Sequence, residues 1–226
     1  LSSSHLAVGA PYASVRPIPA ADADPEVGAV VIYKRSGNNF EIQDILTPED
    51  LSTKLWPHDA NPSEFFGYSL GLSGGLLAIG APNAEHAAEN ANLDAGATHI
   101  FELQTSGGWT HVASLEPPST ERDTNGWFGK ALAMNGFEVL VGHPGHDRPV
   151  PTADLGRGQA WLHELTQITP GIYAWTQAEQ FPPSSADQPF FGAGYGSTVD
   201  ISTQLIGIGA PGGDWMGQFV PNEKGS

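Results

Sequence analysis

The sequence contains no cysteine and few basic residues, and both shortages narrow its possible functions. Without cysteine there is no disulfide framework and no thiol chemistry. Nine Lys and Arg stand against 25 Asp and Glu, which gives a formal net charge of −16. Nucleic acids and anionic membrane surfaces are bound by clustered Lys and Arg. We therefore expect neither a nucleic acid partner nor adsorption to a membrane.

Long hydrophobic runs and helical periodicity are also missing. No stretch approaches the length of a membrane-spanning helix, so we expect no membrane insertion. No segment repeats its apolar residues with the helical period of 3.6. The chain of 226 residues instead holds 28 glycines and 19 prolines, a share that suits many short strands joined by turns. These features predict an all-β protein.

What the sequence does contain is a repeat that pairs Phe-Gly with a later Gly-Ala-Pro. The pairs are Phe66-Gly67 with Gly80-Ala81-Pro82, Phe128-Gly129 with Gly142-His143-Pro144, and Phe191-Gly192 with Gly209-Ala210-Pro211, while Gly9-Ala10-Pro11 has no Phe-Gly before it. The three Phe-Gly pairs are spaced by 62 and 63 residues. A period of this size indicates stacked or radially arranged units, none of which buries its apolar face alone.

One unit can be divided into four strands. Residues 66–73 alternate large and small side chains, and Gly74-Gly75 supplies a tight reversal. Residues 76–80 form a short apolar run typical of a buried inner strand, which Pro82 ends. Residues 96–102 and 109–115 supply the third and fourth strands. Four strands joined by short reversals predict an antiparallel meander of the kind found in a β-propeller blade.

The motif resembles the FG-GAP repeat of integrin α-subunit propellers and their bacterial and algal relatives. The resemblance implies a β-propeller of four-stranded antiparallel blades, with about three and a half blades in this chain. They are a partial blade in 1–50, blades in 65–118 and 127–183, and a partial blade in 190–226. The alternative is a sandwich of about fourteen strands, which would not require Phe-Gly and Gly-Ala-Pro at the same places in every unit.

Propellers of this family usually have about seven blades. We therefore expect the ring to be completed by other protein chains or by further blades of the same protein.

The resemblance also raises the question of calcium. In the family, an Asp-rich loop between the first and second strands binds the ion. The matching positions here are 73–75, 135–136 and 200–203, and none offers enough oxygen ligands. The acidic residues Asp22, Asp24 and Glu26 are the better candidate calcium site, with a solvated turn as the alternative.

The resemblance assigns ligand binding to one face of the propeller. That face carries the loops between second and third strands, which here include Asn83 and Asp94, together with the connections between blades. The connections are 47–64, 116–127 and 182–189, and they hold Trp56, His58 and Trp127. Exposed loops of this composition are typical of binding surfaces.

The histidines suggest a second metal hypothesis. His143, His146 and Asp147 could hold zinc if a third ligand came from another loop. The alternative is that His143 only replaces the alanine of Gly-Ala-Pro. We expect His99, His111 and His163 on exposed strand faces.

Catalysis has no support in the sequence. It contains no Gly-x-Ser-x-Gly elbow, no cysteine nucleophile and no zinc-hydrolase signature, so we predict no enzyme and no catalytic or cofactor-binding residue. The resemblance implies an adhesion or structural module of an extracellular or cell-surface protein, which binds other proteins through its propeller loops. The alternatives are a carbohydrate-binding propeller, possible glycan binding included, and an accessory part of a polysaccharide-active or lipid-cleaving enzyme.

Overall fold

A computed structural model describes residues 4–14, 27–51, 64–84, 94–122, 124–146, 157–183, 194–212 and 218–221. Their regular elements are almost entirely β-strands. The strands are β1 (His5–Ala10), β2 (Ala29–Ser36), β3 (Asn39–Leu46), β4 (Ser69–Ser73), β5 (Leu76–Ala81), β6 (Ala97–Leu103), β7 (Trp109–Leu115), β8 (Ala131–Asn135), β9 (Glu138–His143), β10 (Gln159–Thr169), β11 (Ile172–Phe181), β12 (Thr198–Ile201), β13 (Leu205–Gly209) and β14 (Gln218–Pro221). Two short 3₁₀ turns cover Pro48–Asp50 and Ser119–Glu121.

The strands form four antiparallel sheets that follow one another along the chain. Their orders are β1-β2-β3, β4-β5-β6-β7, β8-β9-β10-β11 and β12-β13-β14, so each strand pairs with its sequence neighbour. We refer to them as the first to fourth sheets. No helix among the described residues is long and apolar enough to cross a membrane.

The sheets stack on one another, which places the inner strands between two apolar layers. Along β5, Leu77 and Ile79 point toward the first sheet, whereas Leu76 and Ala78 join the cluster with the third. A third cluster lies between the third and fourth sheets. Because both faces of an inner strand are covered, the sequence of that strand is a continuous apolar run. The stacking of four small sheets agrees with consecutive propeller blades, and the two-layer sandwich is wrong.

The repeated motif encodes the junction between neighbouring sheets. Within a sheet, the N–H of Gly67 donates to the carbonyl oxygen of Gly80 at 3.0 Å, and Gly129–Gly142 and Gly196–Gly209 repeat this bond at 3.0 Å. Between sheets, the N–H of the aromatic residue donates to the preceding sheet. These bonds are Phe66 to Val27 (3.1 Å), Phe128 to Ala95 (2.9 Å) and Tyr195 to Arg157 (2.9 Å). The aromatic-Gly pair therefore joins two successive sheets by backbone bonds.

Close backbone packing explains why the motif needs glycine. A Cβ on Gly80 would lie less than 3.0 Å from the carbonyl oxygen of Gly129 in the next sheet. Gly9 and Gly142 meet the carbonyl oxygens of Gly67 and Gly196 in the same way. No side chain can be accommodated there unless the two sheets separate.

The structure changes the register of the fourth repeat. Phe191-Gly192 lies outside the described residues, and Tyr195-Gly196 occupies the place of the earlier Phe-Gly pairs. The first strand of that sheet is Thr198–Ile201, which begins two residues after Gly196. Tyrosine can replace phenylalanine because its ring fills the same buried position, with 6% of its surface exposed.

The expectation of exposed strand histidines is wrong. His99, His111 and His163 are all buried, because β6, β7 and β10 are covered by neighbouring sheets. Ser114 satisfies two of them in part, with its Oγ 3.0 Å from Nδ1 of His99 and 3.2 Å from Nε2 of His111. His163 stacks on Trp161, with ring centroids 6.4 Å apart.

Candidate binding pocket on the loop face

The loops after the second strands and the connections that precede the first strands lie on one face, which we call the loop face. The N–H of Asn83 donates to the carbonyl oxygen of Glu64 at 3.2 Å, and the N–H of Trp127 donates to that of Asp94 at 3.2 Å. In the third sheet, Gly145 donates to Gly126 at 3.0 Å. These backbone bonds hold the loops and connections against each other.

A pocket of about 310 Å³ opens on the loop face where the first three sheets meet. We call it the junction pocket. Its lining comprises Tyr12, Phe65, Tyr68, Pro82, Asn83, Asp94, Asn125, Trp127 and Lys130. The volume is at the lower end of the range for small-ligand sites.

The backbone of the pocket is strained. Among the described residues, four non-glycine residues have a left-handed φ, and all four line this pocket: Phe65 (φ 56°), Asp94 (φ 45°), Asn125 (φ 57°) and Trp127 (φ 56°). Asparagine and aspartate tolerate this conformation, but it is unfavourable for bulky side chains. Strain of this kind concentrates at functional sites.

The fourth sheet shows what these strained positions require. The carbonyl oxygens of Phe65, Trp127 and Gly194 accept the same local bond, from the N–H groups of Tyr68, Lys130 and Ser197 respectively. Gly194 has φ 63°. Glycine adopts this left-handed conformation without strain. Phe65 and Trp127 adopt it at a cost of about 1–2 kcal/mol each. The fold therefore does not account for the two aromatic side chains.

The side chains divide the pocket into an aromatic half and a polar half. In the aromatic half, the rings of Tyr12 and Phe65 lie 5.0 Å apart and those of Phe65 and Tyr68 lie 6.5 Å apart. Tyr12 is 59% exposed and Tyr68 is 42% exposed, so their rings face solvent at the rim.

The polar half is built around Trp127 and Lys130. The Lys130 ammonium lies 4.0 Å from the centre of the Trp127 ring, a cation–π contact. Burial lowers the pKa of Lys130. Asn83, Asp94 and Asn125 complete this half with hydrogen-bonding groups. The pocket thus offers aromatic faces on one side and donors and acceptors on the other.

The structure brings together three of the residues expected on the binding face, namely Asn83, Asp94 and Trp127. Trp56 and His58 lie outside the described residues, as do Asp22, Asp24 and Glu26. The sequence analysis missed Tyr12, Phe65, Tyr68, Asn125 and Lys130. Most of these residues could have been found from their place in the repeat, because they lie beside the Phe-Gly pair or directly after Gly-Ala-Pro.

The positions that match the family's calcium loop do not fit the ion. Ser73 Oγ accepts a bond from the N–H of Gly136 at 3.0 Å, and Asp200 Oδ1 accepts one from the N–H of Ile201 at 2.9 Å. Neither hairpin gathers the six or more oxygen ligands that calcium takes. Within the described ranges, no three His, Asp or Glu side chains are grouped to hold a metal.

His143 and His146 form a buried pair. Their ring centroids are 4.9 Å apart, and Nε2 of His146 lies 3.8 Å from Oε2 of Glu121. Asp147 lies outside the described residues. His143 occupies the position of Ala81, which agrees with the alternative to zinc binding, and His146 occupies that of Ala84.

Comparison with known proteins places the repeat in a family. The family model of the FG-GAP repeat matches residues 50–101. These residues include Phe66-Gly67, Gly80-Ala81-Pro82 and most of the first three strands of the second sheet. No curated protein matches the chain. The chain therefore contains an FG-GAP repeat at residues 50–101, and the backbone junctions of that repeat recur in the other antiparallel sheets.

Proposed function

We propose that this chain is a non-catalytic binding module of an extracellular or cell-surface protein. It engages another protein through the loop face, with the junction pocket as the anchor point. The observation that carries the proposal is the pair of strained aromatic residues, Phe65 and Trp127, at positions where glycine serves in the fourth sheet. An aromatic side chain at a left-handed position is unfavourable for the backbone, so we attribute its presence to the partner that the side chain contacts.

The lining of the junction pocket supports a protein partner. Protein interfaces are anchored by Trp, Tyr and Arg in concave sites, with polar groups around them. Exposed Tyr12 and Tyr68 next to Trp127 provide such anchors. The FG-GAP repeat is consistent with a propeller-type interaction module.

The chemistry of the lining supports a non-catalytic role. Among the described lining residues, Asp94 is the sole carboxylate, and histidine, serine and cysteine are absent. A nucleophile with an adjacent base, or a pair of carboxylates, is the usual requirement for hydrolysis.

Carbohydrate binding is the second candidate, and one observation favours it. Trp127 and Asp94 come from successive sheets and face the same slot, where the Trp127 N–H donates to the Asp94 carbonyl oxygen. A sugar ring can stack on an aromatic face while its hydroxyl groups bond to Asn83, Asp94 and Asn125.

A matched variant tests both candidates. The third-to-fourth junction supplies the replacement residues, so we would combine Phe65→Gly and Tyr68→Ser with Trp127→Gly and Lys130→Ser. The control is Tyr173→Ser, which changes an exposed aromatic residue that does not line the pocket. Wild type, variant and control are applied to arrays of purified extracellular proteins and of glycans.

We expect at least one protein to bind wild type and control with at least tenfold higher affinity than the variant. If only glycans bind, and the variant loses that binding, carbohydrate binding is the function and the proposed protein partner is wrong. Equal binding by all three forms would refute the role of the junction pocket.

Calcium binding at Asp22, Asp24 and Glu26 stays a prediction. Isothermal titration with calcium chloride should show a saturable signal that Asp22→Asn with Asp24→Asn abolishes. A signal that survives both substitutions would assign the ion elsewhere, and no signal in the wild type would dismiss the site.

A further inference from the structure

The third sheet carries polar residues where the second sheet carries apolar ones. Ala81 and Ala97 are partners across β5 and β6, and the equivalent partners across β9 and β10 are His143 and Gln159. Ala84 corresponds to His146, since both residues accept the bond from the glycine that opens the third strand. All three polar residues are buried, as are the three alanines.

The connection that precedes each sheet shows the same replacement of apolar residues by polar ones. Leu51 belongs to the connection before the second sheet and packs in one apolar cluster with Ala81, Ala84 and Ala97. The connection before the third sheet, residues 116–127, which we call the second connection, places Glu121 against that sheet instead. Apolar packing therefore holds Leu51, whereas polar contacts hold Glu121.

Glu121 is the centre of those polar contacts. Its Oε2 accepts a hydrogen bond from Nε2 of Gln159 at 3.1 Å and lies 3.8 Å from Nε2 of His146. Its Oε1 lies 3.5 Å from Nε2 of Gln180. On the other side of His146, the N–H of Gly145 donates to the carbonyl oxygen of Gly126, directly before Trp127. The turn 143–146 thus supports the strained end of the second connection.

His143 is the member of the group without a hydrogen-bond partner among the described residues. Both of its ring nitrogens are buried and unpaired. Its ring packs on His146 and on Phe128, with centroids 4.9 Å and 5.7 Å away. The ionisable groups around the pair in the described part of the chain are Glu121 and, beyond Phe128 and Trp161, His163.

We propose that His143, His146 and Glu121 form a proton-sensitive latch, which releases the second connection from the third sheet on acidification. A proton taken up by His143 would place a positive charge on a buried ring whose nitrogens have no hydrogen-bond acceptor among the described residues. A buried charge of this kind is tolerated only if the turn 143–146 moves and the site opens to water.

The direction of the pH effect follows from linkage. Burial, and to a smaller extent the neighbouring His146, hold the pKa of His143 well below its ordinary value of 6.5. In the open form the ring is solvated and titrates near that ordinary value. The closed form is therefore fully favoured above about pH 6.5, and the open form gains up to about tenfold for each pH unit below it.

The latch would also control the pocket, because the second connection carries Asn125 and Trp127. That consequence rests on the proposed function, whereas release of the connection does not.

Hydrogen exchange followed by mass spectrometry tests the release without any ligand. Exchange of the peptide covering 116–127 is compared at pH 7.5 and 5.0, after correction for the intrinsic exchange rates. The peptide covering β5 in the second sheet serves as the internal reference for global unfolding. The matched variant is His143→Ala with His146→Ala, which installs the residues of the second sheet.

We expect the opening equilibrium of 116–127 to rise at least tenfold at pH 5.0 in the wild type, relative to the reference peptide. In the double variant it should change less than twofold. No rise in the wild type, or an equal rise in both forms, would overturn the latch. If the double variant loses protection throughout, His143→Ala alone decides: a rise that persists in it contradicts the proposal, and a rise that disappears supports it.

Discussion

At the residue scale, glycine does most to define this fold, through contacts between backbones. Gly80 illustrates the point, since the carbonyl oxygen of Gly129 occupies the space that a Cβ would need. The hydroxyl of Ser69 donates to the same carbonyl oxygen at 2.6 Å, which ties the second sheet to the third. One glycine position thus sets the spacing between two sheets.

Gly80→Ala should lower the free energy of unfolding by about 3 kcal/mol, since the atom nearest to the added Cβ is the backbone carbonyl oxygen of Gly129, which cannot rotate away. Gly108→Ala is the matched control, because a Cβ there has nothing within 4 Å. Urea unfolding of both variants measures the difference. Equal stability of the two would mean that the sheets separate without strain, and would contradict the packing account.

The pattern of glycines could be predicted from the sequence. The aromatic residue that precedes the junction glycine in the fourth repeat could not. The fourth repeat uses Tyr195-Gly196, although Phe191-Gly192 matches the motif letter by letter. What the junction requires is a ring before a glycine with φ near 89°, and phenylalanine and tyrosine both satisfy it. A letter-based motif cannot distinguish two nearby aromatic-Gly pairs.

At the element scale, the third and fourth strands of the sheets contain buried histidines. His163 in β10 packs against Phe128 and Trp161, and burial lowers its pKa to about 4. Burial also lowers the pKa of His111 in β7, against a smaller opposing effect of the backbone near Ala113. Each of these histidines is neutral in the folded protein near neutral pH.

Stability should therefore decrease in acid. The pKa of His163 is depressed in the folded state, so its contribution is complete above about pH 6.5 and is lost as pH falls toward about 4. The unfolding equilibrium constant should rise up to about tenfold per pH unit in that window for this residue alone. Urea midpoints at pH 7.5 and 5.0 measure the change.

His163→Phe isolates the effect of this residue, because a phenylalanine ring can keep the stack on Trp161. The variant should show a smaller difference between the two pH values than the wild type. An unchanged difference would assign the acid sensitivity to other groups.

Strand positions followed well from period-two alternation, but strand lengths did not. In the third sheet, the alternating sequence covers 158–164 and 173–179, whereas β10 extends to Thr169 and β11 begins at Ile172. The added part lies beyond the packed layers, where alternation no longer marks a buried face. Cross-strand contacts such as Thr166 Oγ1 to Thr176 Oγ1 at 3.1 Å occur there instead.

The buried histidines were missed for a related reason. Alternation identifies which residues share a face of a strand, but it does not reveal which faces a neighbouring sheet covers. That information lies in the stacking of whole sheets. The pocket was missed in part because its residues come from three sheets and meet only at their junction.

At the scale of the whole molecule, the outer face of the first sheet differs from the corresponding face of the second. Val8 holds the position of Ile79, yet Val8 is 44% exposed while Ile79 is fully buried. Ile42 and Ile45 on β3 are also exposed, at 62% and 53%. In the repeated arrangement this face is covered by a preceding sheet, so we propose that another chain or a further blade covers it.

Light scattering of the 226-residue polypeptide at two concentrations tests this proposal. We expect association, with a mass of at least twice 23.8 kDa. A monodisperse species of 23.8 kDa at both concentrations would show that the exposed face needs no cover.

The central claim is that Phe65 and Trp127 are retained for binding and not for folding, and stability measurements test it most directly. Urea unfolding of Phe65→Gly and Trp127→Gly is compared with Phe128→Ala, which removes a fully buried junction ring. Glycine relieves the left-handed strain while contacts in a half-open pocket are lost, so each glycine variant should stay within about 1 kcal/mol of wild type. Phe128→Ala should lose about 3–5 kcal/mol. A loss of that size in either glycine variant would show that the aromatic residue supports the fold, and would contradict the account.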